Sequence, residues 1–137
     1  MLQRMQTIWL LLAGIAAITS FKLPYYSGTM QPGIPYTELN ALNGGWPLVL
    51  ATLIVAAIAL VAIGLYSKRV IQLRLCVLGI LAEAMVVYLY FRKINAYTEG
   101  TMALSSILHM CILLFFVLAA KGISRDEKLV RESDRLR

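Results

Sequence analysis

Two ionisable residues stand where ionisable groups are costly. Glu83 lies near the middle of Val70 to Phe91, VIQLRLCVLGILAEAMVVYLYF, a run that is apolar almost throughout, with Arg74 near one end. His109, the only histidine, falls inside a second apolar run, Thr101 to Ala120. A carboxyl or imidazole inside a hydrocarbon core needs a partner on another element or a role that justifies it. Read as helices, the two runs are consecutive and antiparallel. Counting back from Arg92 and forward from Thr101 puts both groups about 12–14 Å below the same surface. The two side chains are therefore expected to meet.

Such a pair could do two things. It could handle protons or bind a ligand, since groups at this depth often mark ion or proton pathways. It could instead be a polar clamp that fixes helix register, with Ser105 and Ser106 as supporting groups. A protonated Glu83 bonded to a neutral His109 would remove the charge penalty altogether. The sequence leaves both readings open.

Other reactive residue types point to no chemistry. His109, Met110 and Cys111 include soft metal ligands, but consecutive helical positions face different ways and cannot close on one ion. Cys76 and Cys111 fall inside apolar runs at unequal depths, so they read as buried thiols. There is no glycine-rich phosphate loop, no Ser/His/Asp set and no HExxH. No metal, no cofactor and no enzymatic activity is expected.

The elements that must position these groups are membrane helices. Of 137 residues, 60% are hydrophobic and 15% charged, whereas soluble domains carry roughly 25% charged and 45–50% apolar residues. Val70 to Phe91 as a helix is about 33 Å long, which matches a bilayer core. Met5 to Phe21 follows Arg4 and resembles a signal peptide's core. However, Ala17-Ile18-Thr19-Ser20 lacks the small residues of a cleavage site, so a retained helix is expected. Residues 22–45 form the long connection, broken by Pro24, Gly28, Pro32, Gly33, Pro35, Gly44 and Gly45. Tyr25, Tyr26 and Tyr36 suit the headgroup level, and Tyr36 to Asn43 could form a short surface helix. Trp46 and Pro47 open a second helix running to Tyr66. Its Ala51, Ala56, Ala57, Ala59, Ala62 and Gly64 offer small packing surfaces. Ser67, Lys68 and Arg69 alone separate it from the third, which makes an antiparallel hairpin.

The fold expected is an all-α integral membrane protein with four transmembrane helices in an up-down bundle, spanning about 5–21, 46–66, 70–92 and 101–120. A short cytoplasmic helix over 122–137 follows. Ser124 and Glu127 fit a capping box at its start. Glu127 with Arg131, and Lys128 with Glu132, are i,i+4 pairs on its surface. From Lys121 to Arg137 there are six basic and four acidic residues, too mixed for a simple anionic-lipid anchor. Arg125, Asp126, Glu127, Arg131 and Arg135 form a candidate docking surface for a cytoplasmic protein.

The net charge of +6 reflects topology rather than nucleic acid, because no basic stripe interleaves with exposed aromatics. Four spans put Arg4, Lys68, Arg69, Arg74, Lys121, Arg125, Lys128, Arg131, Arg135 and Arg137 on one side. Lys22, Arg92 and Lys93 fall on the other. Ten against three places both termini in the cytoplasm.

Three segments together resemble a known family: MLQRMQTIWLLLA, IQLRLC and RDEKLVRESDRLR. It is a family of small four-helix inner-membrane proteins from Bacteroidota, known only as a domain of unknown function. The resemblance implies a bacterial inner membrane and a cytoplasmic tail, and brings no activity. The function expected from the whole chain is a non-enzymatic accessory or assembly subunit of a larger membrane complex. Its partners would be membrane lipid, other membrane subunits or copies of itself, and a cytoplasmic protein at the tail. The alternative is a small transporter or ligand-binding protein working through Glu83 and His109, reached past Tyr88 and Tyr90.

Overall fold

A computed structural model describes residues 2–30 and 35–135, with side chains at 2–4, 134 and 135 outside the description. Pro32 and Gly33 of the expected loop therefore lie outside the described residues. Four helices account for most of the chain: α1 (Leu2–Ser20), α2 (Trp46–Gly64), α3 (Arg69–Ile94) and α4 (Ile107–Arg135). Between them lie three short strands, β1 (Tyr26–Thr29), β2 (Thr37–Leu39) and β3 (Glu99–Met102), and a 3₁₀ turn, Leu104–Ser106.

Local chemistry sets the helix boundaries. Gly45 holds φ at 97°, a conformation that suits glycine, and turns the chain into α2 with Pro47 in the first turn, where its missing N–H costs nothing. Lys68 N donates to Leu65 O at 3.0 Å and Gln72 N to Lys68 O at 3.0 Å. These bonds make the tight α2–α3 turn. Arg92 and Lys93 close α3 with positive charge at its carbonyl end.

α1 packs on α2, α2 on α3 and α3 on α4, and α1 also packs on α4, which closes a ring. In α3 the buried residues are Gln72, Cys76, Gly79, Glu83, Val86 and Tyr90. In α4 they include His109, Ile112, Phe116, Ala119, Ile123 and Asp126. Steps of three and four alternate in both, the spacing of a bundle seam. α1 (Gln6, Leu10, Ala13, Ala17, Ser20) and α2 (Leu48, Thr52, Val55, Ala59, Ala62) follow the same rule. Where α3 crosses α4, a Cβ on Gly79 would lie 2.6 Å from the Phe116 ring. Only glycine lets that ring seat.

The bundle is small and partly polar within, and large and apolar without. Ile15, Leu53, Leu60, Leu78, Leu81, Met85, Leu114 and Val117 all point outward and are about half exposed. Trp46–Gly64, Arg69–Ile94 and Leu104–Ser133 are long and apolar enough to cross a membrane, and Met5–Ser20 is a shorter apolar helix. The small faces of Ala56, Ala59 and Ala62 are consumed inside this bundle; they are not open to neighbours.

The connections differ from a purely helical reading. β1 pairs antiparallel with both β2 and β3 in a three-stranded sheet of order β2-β1-β3. It lies at the loop end of the bundle, where α1 gives way to α2 and α3 to α4. Thr37–Leu39 is strand where a short helix was expected over Tyr36 to Asn43, because Tyr26, Ser27 and Gly28 offer it a ladder. Glu99–Met102 is strand for the same reason, so α4 begins at Ile107, six residues after the expected start at Thr101. Gly28 and Gly100 face each other across this ladder, and a Cβ on either would strike backbone at 2.2–2.5 Å.

The other difference is at the chain's end. α4 continues unbroken to Arg135, so residues 122–137 do not begin a separate helix and Ser124 caps nothing. Ile123 is fully buried and Asp126 nearly so, because these turns still pack on α1. Packing, not capping chemistry, decides the continuation.

Candidate functional site

The α3 seam puts Glu83, Val86 and Tyr90 on one stripe, and the α4 seam opens with His109 as that helix's third residue. The structure brings Glu83 and His109 together: His109 Nδ1 lies 2.6 Å from Glu83 Oε1. Both residues are almost wholly buried, at 1% and 2% exposure. With Nε2 carrying its own hydrogen, one proton in that bond leaves the pair net neutral whichever atom holds it.

Two tyrosines enclose the imidazole. The Tyr25 ring stacks on Tyr90, with centroids 4.2 Å apart and planes 11° apart. His109 meets both at steep angles, 5.3 Å from Tyr25 and 5.1 Å from Tyr90. Backbone bonds fix Tyr25 on two sides: its N–H donates to Leu39 O at 2.7 Å, and its carbonyl accepts from Ala103 N at 3.0 Å. Burial, and then the nearby Glu83 charge, push the Tyr25 phenol above its ordinary pKa. The Tyr90 hydroxyl is buried and has no hydrogen-bond partner among the described residues.

Ser105 Oγ donates to the Pro24 carbonyl, tying the loop to the start of α4. Its hydroxyl is thus spent on Pro24. Ser106 anchors the 3₁₀ turn by its backbone, N to Ala103 O at 2.9 Å. Tyr88 is about half exposed on the outer surface, off the buried stripe that carries Glu83 and Tyr90.

The opposite end has its own polar contacts. Gln6 Nε2 donates to Asp126 Oδ2 at 2.6 Å between α1 and α4, both residues buried. Gln72 Nε2 donates to Ala62 O at 3.0 Å between α3 and α2. Asp126 is thus withdrawn from the expected docking surface by its bond to Gln6. Arg125 and Arg131 are exposed, Glu127 is half-buried, and the Arg135 side chain lies outside the described residues. Among the described residues, neither Glu127–Arg131 nor Lys128–Glu132 closes to an ion pair.

Cys76 and Cys111 are free thiols, and no cluster of three or more potential metal ligands occurs among the described residues. What the site can do chemically is hold one proton between a carboxyl and an imidazole in an aromatic enclosure.

A family model matches the chain over residues 2–136, nearly its full length. The chain belongs to the DUF4293 family, a domain of unknown function. DUF4293 membership covers the bundle and the charged end alike, and names no chemistry for Glu83 or His109. No curated protein and no solved structure matches the chain.

Reasoning from sequence missed Tyr25 and Tyr90 as the rings that enclose His109, and Gln6 as the partner of Asp126. Tyr90 was within reach: it stands seven residues after Glu83, two helical turns along the same face. Tyr25 carries no comparable signal, since only long-range strand pairing brings it over His109.

Proposed function

We propose that this DUF4293 protein is a non-enzymatic integral membrane protein of the bacterial inner membrane, acting as an accessory or assembly subunit of a larger complex. In this reading all four helices span the bilayer and both termini are cytoplasmic, as ten of thirteen basic residues favour. The observation that carries it is the closed bundle: large apolar side chains face outward on every helix, while Glu83 and His109 satisfy each other inside. A pair closed on itself is a register clamp between α3 and α4. Exposed Leu129, set with exposed Arg125 and Arg131 near the end of α4, leaves that end free to meet a cytoplasmic partner.

The test is purification of the full chain in mild detergent, followed by mass spectrometry of what remains bound. A second protein in fixed proportion supports the subunit reading; the chain alone, at any concentration, contradicts it.

A second reading has one observation in its favour. The unpartnered Tyr90 hydroxyl, on a ring touching His109, would suit a small transporter or ligand-binding protein in which a water or ligand bridges to the pair. Under that reading Glu83→Gln keeps stability and loses function, because an amide cannot titrate.

A further inference from the structure

An open cleft lies far from Glu83, at the α2–α3 turn. It holds about 710 Å³ and is lined by Tyr66, Ser67, Lys68, Arg69, Val70, Ile71 and Val130. Two cations and a hydroxyl come from the turn; three branched apolar side chains come from α3 and α4. None of these residues is acidic.

The start of α3 adds to this positive field. Helices usually favour acids in their first turn, and α3 has none. Its first residue is Arg69, preceded by Lys68, and no side chain caps it. The N–H groups of Arg69, Val70 and Ile71 precede the first intrahelical bond, from Gln72 N to Lys68 O. Backbone donors and two cations therefore converge beside an apolar wall.

We infer that this cleft seats the phosphodiester headgroup of an anionic phospholipid. Lys68, Arg69 and the α3 amides hold the phosphate, and Val70, Ile71 and Val130 lie along the first part of an acyl chain. The chemistry is that of a doubly substituted phosphate with hydrocarbon attached, since a free phosphate would leave the apolar wall unused. The inference rests on the membrane reading above, because it needs the turn at a headgroup layer. A second basic cleft, lined by Lys121 and Arg125 with Met5 and Trp9, lies between α1 and α4 and serves as the control.

The experiment uses the full chain in nanodiscs of phosphatidylcholine, alone or mixed with phosphatidylglycerol. After release into detergent, native mass spectrometry counts retained lipids. Wild type is expected to retain one phosphatidylglycerol per chain in preference to phosphatidylcholine. Removing both charges (K68Q with R69Q) should lower that retention by about tenfold or more. V130W, which fills the cleft without changing charge, should lower it too, while K121Q with R125Q should not. Added inorganic phosphate should displace little of the lipid. Equal losses in both charge-removal variants, or retention unchanged by V130W, overturn the seat and leave the membrane reading standing. Displacement by phosphate as readily as by soluble phosphatidylglycerol overturns the lipid assignment. Failure of the wild-type chain to enter nanodiscs overturns the membrane reading and the seat together.

Discussion

Tyr25, from the loop before β1, stacks face to face on Tyr90 of α3, with centroids 4.2 Å apart. The two rings close the loop end over His109, so the enclosure of the pair depends on a residue outside the helices. Replacing Tyr25 with Ala should open that roof, and with it the stack, at a cost of about 3–5 kcal/mol if the site cannot collapse. Hydrogen exchange at the backbone amides of the loop end should then quicken while the tail end is unchanged.

Tyr25 also makes a pH prediction. Its phenol pKa is raised above 10.0 by burial, with Glu83 adding to the effect. The folded state therefore holds this proton more tightly than the unfolded state. Its stability contribution is complete below about pH 10 and is lost as pH rises through the folded pKa. Thermal unfolding followed from neutral to alkaline pH should fall more steeply in wild type than in Tyr25→Phe. Identical alkaline slopes would show that Tyr25 does not titrate differently on folding.

The Tyr90 hydroxyl has no partner among the described residues. A buried unpaired hydroxyl costs about 1–3 kcal/mol, so Tyr90→Phe should leave stability unchanged or raise it. A clear loss in unfolding measurements would mean that the hydroxyl is bonded, to a water or a ligand, and would favour the second functional reading.

Gly79 and Asp126 test the packing of α4. Gly79→Ala drives a methyl into the Phe116 ring at 2.6 Å and should cost about 1–3 kcal/mol, partly recovered when Phe116→Leu is added. Asp126→Ala strands the buried Gln6 amide, at about 1–3 kcal/mol. Asp126→Asn should be tolerated, because its amide oxygen still accepts from Gln6 Nε2. Arg131→Ala should not affect stability. Equal effects at Asp126 and Arg131 would restore the picture of a solvated tail.

Much of this was legible in the sequence, and for identifiable reasons. The four apolar helices follow from composition and run length, and α2 begins at Trp46 as its Trp-Pro-Leu start suggests. The meeting of Glu83 and His109 was also legible, though the geometry behind it differs. Glu83 sits eleven residues before the end of α3, about 16 Å, while His109 is only about 3 Å into α4. The groups come level because residues 95–106 are spent on a turn, β3 and the 3₁₀ turn before α4 begins. Nothing local marks Glu99–Met102 as strand, since its partner Tyr26–Thr29 is some seventy residues away. The unbroken end of α4 was hidden for a similar reason. Ser124 and Glu127 fit a cap, but contacts from Ile123 and Asp126 to α1 override it.

The central claim is that Glu83 and His109 form one structural contact inside a membrane bundle, and a double-mutant cycle tests it most directly. Unfolding free energies would be measured in bilayer-mimicking micelles for wild type, Glu83→Ala, His109→Ala and the double variant. Each single change should cost about 0.6–2 kcal/mol, the scale of interhelical hydrogen bonds in membranes. The double variant should lose little more than either single one, since both break the same bond at 2.6 Å. Glu83→Gln should keep most of the stability, because an amide can still bond a neutral imidazole. Fully additive losses would contradict the account, for they would mean that the two side chains do not depend on each other.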